Sequence, residues 1–589
     1  MLVAAWLRLY HFGQNPPSLY WDEMALAYDS WSITTTGRDY HGQAWPLIAF
    51  ESYGDYKPSG YFYATALAMK VLGPYDWVVR VPSLLAGLYI VYGCGMLASK
   101  IKLTNRKSSQ QVFYLAMLIA AVNPALIHLS RVGFETNLAT ALLLAGVLCL
   151  WPSEINDKTL KKTIDWQLLA GELLLIASFY TYHATRVVAP LLGVYLVLWR
   201  GLKILLLAKY EWEGGCSRQN KGLVDCQKEY VFSQKTAGKY LVVNSVMAGA
   251  LAVFLTLPFW LSMGKQEVTS RWQTTSLLSD LSLIEESNQC LALAGGTWLA
   301  RLWCHRWWFF AREIEQNWWS HFDVDYLFIT GDANRRHSVG LFGIFYPFEI
   351  VFLAVGMMYG WLHKKQWSTI LFVIYWLVVG VFPSSLTVGT PHLLRTENIL
   401  PLLIVGCSLG VWQIAQWINQ RWQKLYYCLM TGMYMASVVV YQYYYHNYYQ
   451  KEYAGVWQDG YRQAVEQLAA WQEKYPDMPV YFTRELGRPA LYYLWYNQIH
   501  PSQVQTVVDD EKKDQGELMT FTPDQVAFGT GLLSREQLLV LTAREAEVVS
   551  WEASGEVVNQ RGEVVLIVGK EQRQEIGDDK AEKTQDTSE

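Results

Sequence analysis

The chain has 589 residues, of which 52% are hydrophobic and only 17% charged, and its net charge is −4. It is more apolar than an ordinary soluble protein, and its acidic balance gives no footing for nucleic acid as a partner. Its 8 cysteines are scattered without a C-x-x-C pair, which excludes a disulfide framework and the common zinc and redox motifs.

Apolar stretches of roughly 17 to 25 residues, each able to cross a ~30 Å hydrocarbon core as a helix, recur from the N-terminus to about Tyr449. Hydropathy places helices near 1–11, 80–99, 110–128, 135–151, 166–182, 187–207, 240–262, 340–362, 367–386, 396–418 and 425–446, about eleven spans in all. Trp199, Trp361, Trp376 and the run Tyr443, Tyr444, Tyr445 sit at the ends of such stretches, as residues of an interfacial belt do. The first helix is short. About ten residues precede His11, and at ~1.5 Å each they cover half a bilayer, so the natural chain is expected to begin upstream or its start site to have been set late. The charged n-region of a cleavable signal peptide is absent.

Basic residues orient the spans. Lys100, Lys102, Arg106 and Lys107 share one loop, Lys158, Lys161 and Lys162 the next, and Arg200, Lys203, Lys209, Arg218, Lys221, Lys228, Lys235 and Lys239 a third. His363, Lys364, Lys365, Arg421 and Lys424 fall in the last two. All five loops lie on one side, which the positive-inside rule assigns to the cytoplasm. The other side receives 12–79, the turns near 129–134 and 183–186, the segment 263–339, the turn 387–395 and everything after about 447. The expected protein is therefore an all-α polytopic plasma-membrane domain over 1–450. Its first outer loop is 12–79 and its long outer loop 263–339.

Within the first outer loop, Ser59 to Leu72 is apolar but short and contains Lys70, which fits a helix lying in the membrane interface. After about Tyr449 the helix-like run Tyr461 to Tyr475 is followed by strand-like Val480 to Thr483, Val504 to Val508 and Val564 to Val568. They predict a small α/β extracytoplasmic domain over 451–569. The charged stretch 570–589 reads as disordered. Cys290 and Cys304 share the long outer loop, where a disulfide and two free thiols are equally compatible with the sequence.

The first outer loop contains Pro16-Pro-Ser-Leu-Tyr-Trp-Asp-Glu-Met-Ala-Leu-Ala-Tyr28. Asp22 can cap the helix that follows and Glu23 can complement its dipole; alternatively, a carboxylate fixed above the membrane can act as general base on an acceptor hydroxyl or amine. Gly54-Asp-Tyr-Lys-Pro58 sets Asp55 and Lys57 two apart before the interfacial helix, either as a solvated turn or with Lys57 as a point charge for phosphate. Arg80, Arg131 with Glu135, Arg186 with His183, and Arg395 with His392 stand at outer membrane edges. Singly such arginines snorkel. As a set, on the face where short loops are poor in cations, they suit bidentate recognition of a phosphate. His321-Phe-Asp-Val-Asp325 and Gly331-Asp-Ala-Asn-Arg-Arg-His337, with Arg336 and His337, could hold a divalent cation or form a polar loop over the site. No other cofactor is indicated.

Taken together, Trp21-Asp-Glu23, Thr36-Gly-Arg-Asp39, Gly54-Asp-Tyr-Lys-Pro58, Arg80-Val-Pro-Ser83, Tyr180-Thr-Tyr-His-Ala-Thr-Arg186, Gly331-Asp-Ala-Asn-Arg-Arg-His337 and Pro391-His-Leu-Leu-Arg395 resemble a family pattern. It is that of the bacterial branch of glycosyltransferase family 39, relatives of protein O-mannosyltransferases and of aminoarabinose transferase, and it runs over about 1–450. The resemblance implies a GT-C fold, a polyprenyl-phosphate-linked monosaccharide donor, and an acceptor protein, lipid or glycan across the bilayer. It also implies Asp22 and Glu23 as catalytic centre, with Lys57 and the arginines on the donor phosphate. The C-terminal domain matches no family pattern, and Trp318-Trp-Ser320 lies between spans, unlike the Trp-Trp-Asp of oligosaccharyltransferases. A transporter or flippase for a lipid-linked or anionic substrate is the alternative from another class, and a structural subunit with a partner-binding outer domain is a second.

Overall fold

The computed structural model describes residues 1–101, 106–152, 164–218, 223–362, 367–514, 516–529 and 536–572, without the side chains of 207–236. Lys102, Lys158, Lys161, Lys162, Lys221, His363, Lys364, Lys365 and the tail from 573 onward lie outside the described residues, and Lys209, Arg218, Lys228 and Lys235 are described in backbone alone. The chain divides into two compact units. One comprises Met1–Asn15, Trp45–Glu51 and Asp55–Tyr449; the other comprises Pro16–Ala44, Ser52–Gly54 and Gln450–Glu589. The units change at Tyr449–Gln450, near the expected 450, but Pro16–Ala44 and Ser52–Gly54 of the first outer loop, Asp22 among them, cluster with the C-terminal residues.

In the first unit every expected apolar segment carries a helix. Among the described residues, five helices are long and apolar enough to cross a membrane: Val81–Ser99, Thr185–Leu206, Ala237–Leu261, Trp367–Ser385 and Leu393–Trp417. Glu135–Leu150, Trp166–Phe179 and Glu349–Leu362 are apolar but shorter. The expected helix 110–128 is instead Arg106–Val122 followed by Pro124–Leu129. Asn123 makes the break, since its side chain accepts from the Leu126 N–H at 3.0 Å and Pro124 starts the new helix. The helix expected from 340 begins only at Glu349, two residues after Pro347. Helices Glu349–Leu362 and Leu400–Trp417 approach so closely that a Cβ on Gly356 would strike the Gly406 carbonyl, and one on Gly410 the Phe352 carbonyl; small residues permit such backbone contact.

The short first helix, Leu2–Leu9, is held by a residue that hydropathy does not single out. Buried Arg8 donates to Ser130 Oγ at 3.1 Å and to the carbonyls of Ala121 at 3.0 Å and Ala120 at 3.3 Å. The apolar run of the first outer loop is a helix, Gly60–Leu72, that leaves Leu67 and Val71 exposed. In the long outer segment, Cys290 and Cys304 form a disulfide with Cα atoms 5.5 Å apart.

The second unit is built on a six-stranded sheet in the order Thr520–Phe521, Val526–Phe528, Val480–Phe482, Leu538–Thr542, Val564–Glu571, Trp551–Val558. The central strand Val480–Phe482 runs parallel to both neighbours, and the rest pair antiparallel. The expected helix is present as Tyr461–Lys474. Val504 to Val508 is not a strand: Pro501–Val507 is a helix, with Pro at its start and the His500 side chain accepting from the Ser502 N–H. A Pro-started, side-chain-capped turn outweighs the β-branched composition that suggested a strand.

Candidate functional site

Asp22 and Glu23 belong to helix Trp21–Thr36 of the second unit. The N-cap is Tyr20 in extended backbone, and the first helical N–H, of Trp21, donates to Gln458 Oε1 at 2.8 Å. Asp22 is therefore not the cap; it and Glu23 lie in the first turn, where negative charge suits the helix dipole. Glu23 is fully buried and Asp22 half-buried. Gln458 is itself fixed by its Nε2 bond to the Leu486 carbonyl at 3.1 Å and by Tyr492 Oη, 3.0 Å from its Oε1. The Tyr53 hydroxyl donates to the Trp21 carbonyl at 3.2 Å, with Arg488 over the Tyr53 ring at 4.7 Å. Burial, then the charge of Glu517, with Tyr40 and Asp22 behind, push the Tyr53 phenol well above its usual range, so it stays a donor. Gly487, at φ 121°, lies so near the Trp21 ring that a Cβ would clash with it.

Farther along, the same helix is stitched to its own unit. Tyr28 donates to the Ile499 carbonyl at 2.9 Å, Asp29 accepts from the Tyr40 N–H at 3.0 Å, and Gln505 Nε2 contacts Ser32, Thr36 and the Asp39 carbonyl. Many side chains thus hold the acid pair in place, which is what a positioned group requires.

The other candidates belong to the first unit. Lys57 and Glu135 form an ion pair at 3.8 Å, both largely buried. Asp55 does not pair with Lys57; its Oδ2 meets Arg271 Nη1 at 2.6 Å. Burial, with the charges of Arg186 and Arg271 next, holds His183 well below the usual histidine range, so the ring is neutral. Its Nε2–H donates to the Tyr56 carbonyl at 3.0 Å and its Nδ1 accepts from Arg186 Nη1 at 3.4 Å. Arg186 also donates to the Ile48 carbonyl at 3.1 Å and sits 5.0 Å from the Phe259 ring. Its buried Nε–H has no hydrogen-bond partner. Arg395 donates to Thr387 Oγ1 at 2.6 Å and the Val388 carbonyl at 2.8 Å. Among the described residues neither Arg186 nor Arg395 makes a salt bridge.

Tyr182, half-buried at the turn before Arg186, lies in the fields of Arg395, Arg271, Glu135 and Glu397, so these groups form one electrostatic neighbourhood.

Arg131 has a different fate. Nε donates to the Asn15 carbonyl, Nη1 to Arg8 and Tyr10, and Nη2 to His11 and Asn15, all between 2.7 and 3.2 Å. Every N–H of the guanidinium is used, which leaves no donor for a phosphate in this conformation. Buried Arg80 lies near Arg131 and His128, and the Arg336 carbonyl accepts from His128 Nε2 at 2.8 Å. Of the arginine set read from the sequence, Arg80 and Arg131 thus stand together apart from the pair Arg186 and Arg395.

His337 and His392 meet at Asp332. One ligand atom from each lies within 4.8 Å of the others, and the two rings are 4.7 Å apart between centroids. Asp332 Oδ2 is 3.0 Å from His337 Nδ1 and accepts from the Leu393 N–H at 2.8 Å, while Oδ1 accepts from the Asn334 N–H at 2.8 Å. Burial raises the Asp332 carboxyl, but His337 and the Leu393 N–H outweigh it and hold it below its usual value. The other acids weighed for a cation serve local turns: Asp323 accepts from the Asp325 N–H, and Asp325 from Thr330 Oγ1. His321 is occupied by the Asn317 carbonyl at 2.7 Å and Ser384 Oγ at 2.9 Å.

The sequence does not single out Arg271 or Tyr182, and it sets Asp332 in the segment weighed for a divalent cation without joining it to His392. Arg271 lies in an exposed polar helix, Gln266–Thr275, where nothing local distinguishes it. Asp332 carried a signal in Asp-Ala-Asn, a spacing that predicts an Asx turn, but that turn alone does not reveal His392.

No known family profile matches the chain, and no curated protein is significantly similar to it. Solved structures that resemble it do so at low identity. ArnT from Cupriavidus metallidurans, bound to undecaprenyl phosphate, is 12% identical with a TM-score of 0.45, over 97% of this chain and 96% of that one. The archaeal oligosaccharyltransferase AglB from Archaeoglobus fulgidus, in complex with an inhibitory peptide and a dolichol-phosphate, is 10% identical with a TM-score of 0.40, over 85% of this chain and 62% of that one. At such values the likenesses carry no argument about what this chain does.

Proposed function

We propose that the chain is a membrane glycosyltransferase of the family 39 type, moving a monosaccharide from a polyprenyl-phosphate carrier to a protein, lipid or glycan acceptor on the outer face of the plasma membrane. The observation that carries this reading is the pair Arg186 and Arg395. Both guanidiniums are half-buried, make no salt bridge among the described residues and lie in the electrostatic neighbourhood of Lys57 and Arg271. Partly desolvated charge without a salt-bridge partner is costly, and an anionic ligand lowers the cost. Helices long enough to span a bilayer in the same unit favour a lipid-borne anion.

In this reading Lys57, Arg186 and Arg395 hold the donor phosphate. Asp22, oriented by buried Glu23, takes the proton of the acceptor hydroxyl or amine. The acceptor atom bonds to the anomeric carbon while the bond from that carbon to the phosphate oxygen breaks, and the electron pair leaves with the phosphate. Fixed cations at the leaving group stabilise the charge that develops there. A single displacement inverts the sugar.

The test is release of lipid phosphate from polyprenyl-phosphate monosaccharides by the purified full chain, with Asp22→Asn compared in the same detergent. Turnover that the Asn variant loses supports the reading. Wild-type turnover retained by a folded Asp22→Asn protein removes Asp22 as base. A protein that binds the lipid donor but never cleaves it fits a transporter instead.

A further inference from the structure

We infer that Asp332, His337 and His392 form a site for one divalent transition-metal cation of the zinc class. Three observations converge on it. The three side chains offer ligand atoms within 4.8 Å of one another, close enough for one ion with small side-chain adjustment. Asp332 and His337 are almost fully buried, so the site is screened from bulk water. His392 Nδ1 is buried and has no hydrogen-bond partner, an arrangement that costs free energy unless something accepts its proton or uses its lone pair.

The donor set selects the ion. Two imidazoles and one carboxylate suit zinc and its transition-metal neighbours, at metal–nitrogen distances of ~2.0–2.1 Å, whereas magnesium and calcium prefer all-oxygen shells. Three protein ligands leave a fourth position for water or an anion. The bonds around the cluster already resemble a supporting shell: Asp332 is aligned by the N–H groups of Leu393 and Asn334, and His337 packs edge-on to Phe134. His321 is nearby but is not a ligand, since its Nε2 accepts from the His392 N–H at 3.2 Å and also contacts Ser384.

The ion would fasten two segments that no local motif joins, the turn 331–337 and the turn that leads into Leu393. It would thereby hold the start of the span that carries Arg395. Metal binding of this kind stands independently of the transferase reading and is measured without activity.

The full chain in detergent, stripped with chelator and titrated with zinc, is expected to bind about one ion per chain and to gain thermal stability on doing so. His392→Gln and Asp332→Asn are expected to lose that binding and the metal-dependent gain. In the metal-free form, His392→Gln should melt near the wild-type temperature. If His392→Gln fails to fold, His337→Gln provides the same readout. Cobalt(II) bound at this site should show a ligand-field spectrum that both histidine variants lack. Wild-type protein that takes up no stoichiometric zinc, cobalt or manganese overturns the inference, as does equal uptake by folded variants. In either case the trio is a hydrogen-bonded clamp.

Discussion

Arg131 and Arg186 look alike in the sequence, each an arginine at a short turn between apolar helices, yet the structure gives them opposite roles. Around Arg131 the chain supplies acceptors: five hydrogen bonds reach four carbonyls between Arg8 and Asn15, and the guanidinium locks the first fifteen residues to the helical unit. Around Arg186 it supplies few, leaving Nε–H without a partner and a neutral histidine where a carboxylate could stand. A saturated cation stabilises a fold, and an unsaturated one is available to a ligand. The same chemistry serves two purposes according to how many carbonyls the backbone brings to it.

The acid pair gives the test with the largest expected effect. Asp22→Asn should lower transfer about 10²–10⁴-fold, the usual range for a general base, with the melting temperature little changed. Next, Arg131→Met should destabilise the helical unit by about 3 kcal/mol or more, because buried carbonyls lose their donors, while donor affinity per folded molecule stays the same. Arg186→Gln should reverse that pattern. Lipid-phosphate binding, followed by calorimetry or by competition with a labelled donor, should weaken about 10–100-fold, the loss of one or two charge-assisted bonds. If Arg131→Met and Arg186→Gln shift stability and binding in parallel, the contrast between them fails.

Smaller effects sharpen the picture. Gln458→Ala removes the partner of the first helical N–H before Asp22 and should cost about 1 kcal/mol in urea or thermal unfolding, with activity falling because the acid pair is less well fixed. Arg271→Ala breaks a half-exposed pair with Asp55 and should change stability by less than about 1 kcal/mol. A larger change would show that Arg271 holds more than Asp55.

The apolar segments were legible because hydropathy and length are local properties, and each expected segment carries a helix. Their ends were less so: Asn123 and Pro347 trim helices that hydropathy alone extends. In the C-terminal unit, Val480 to Phe482 and Val564 to Glu571 were readable as strands, while Val504 to Val508 was misread because a capped, Pro-started turn outweighs composition. The acid pair was visible as a motif. That Asp22 is not a helix cap emerged only when Gln458, more than four hundred residues away in sequence, took that role.

The sequence by itself determined that the chain alternates long apolar helices with polar turns, that a different domain follows, and which acids and cations could carry chemistry. Tertiary structure decided which of those side chains are already satisfied. It paired Lys57 with Glu135 and Asp55 with Arg271, saturated Arg131, left Arg186 and Arg395 without a salt bridge among the described residues, and carried His392 to Asp332 and His337. The reason is physical: hydropathy acts residue by residue along the chain, whereas hydrogen bonding and charge pairing depend on which distant groups the fold brings within about 3 Å.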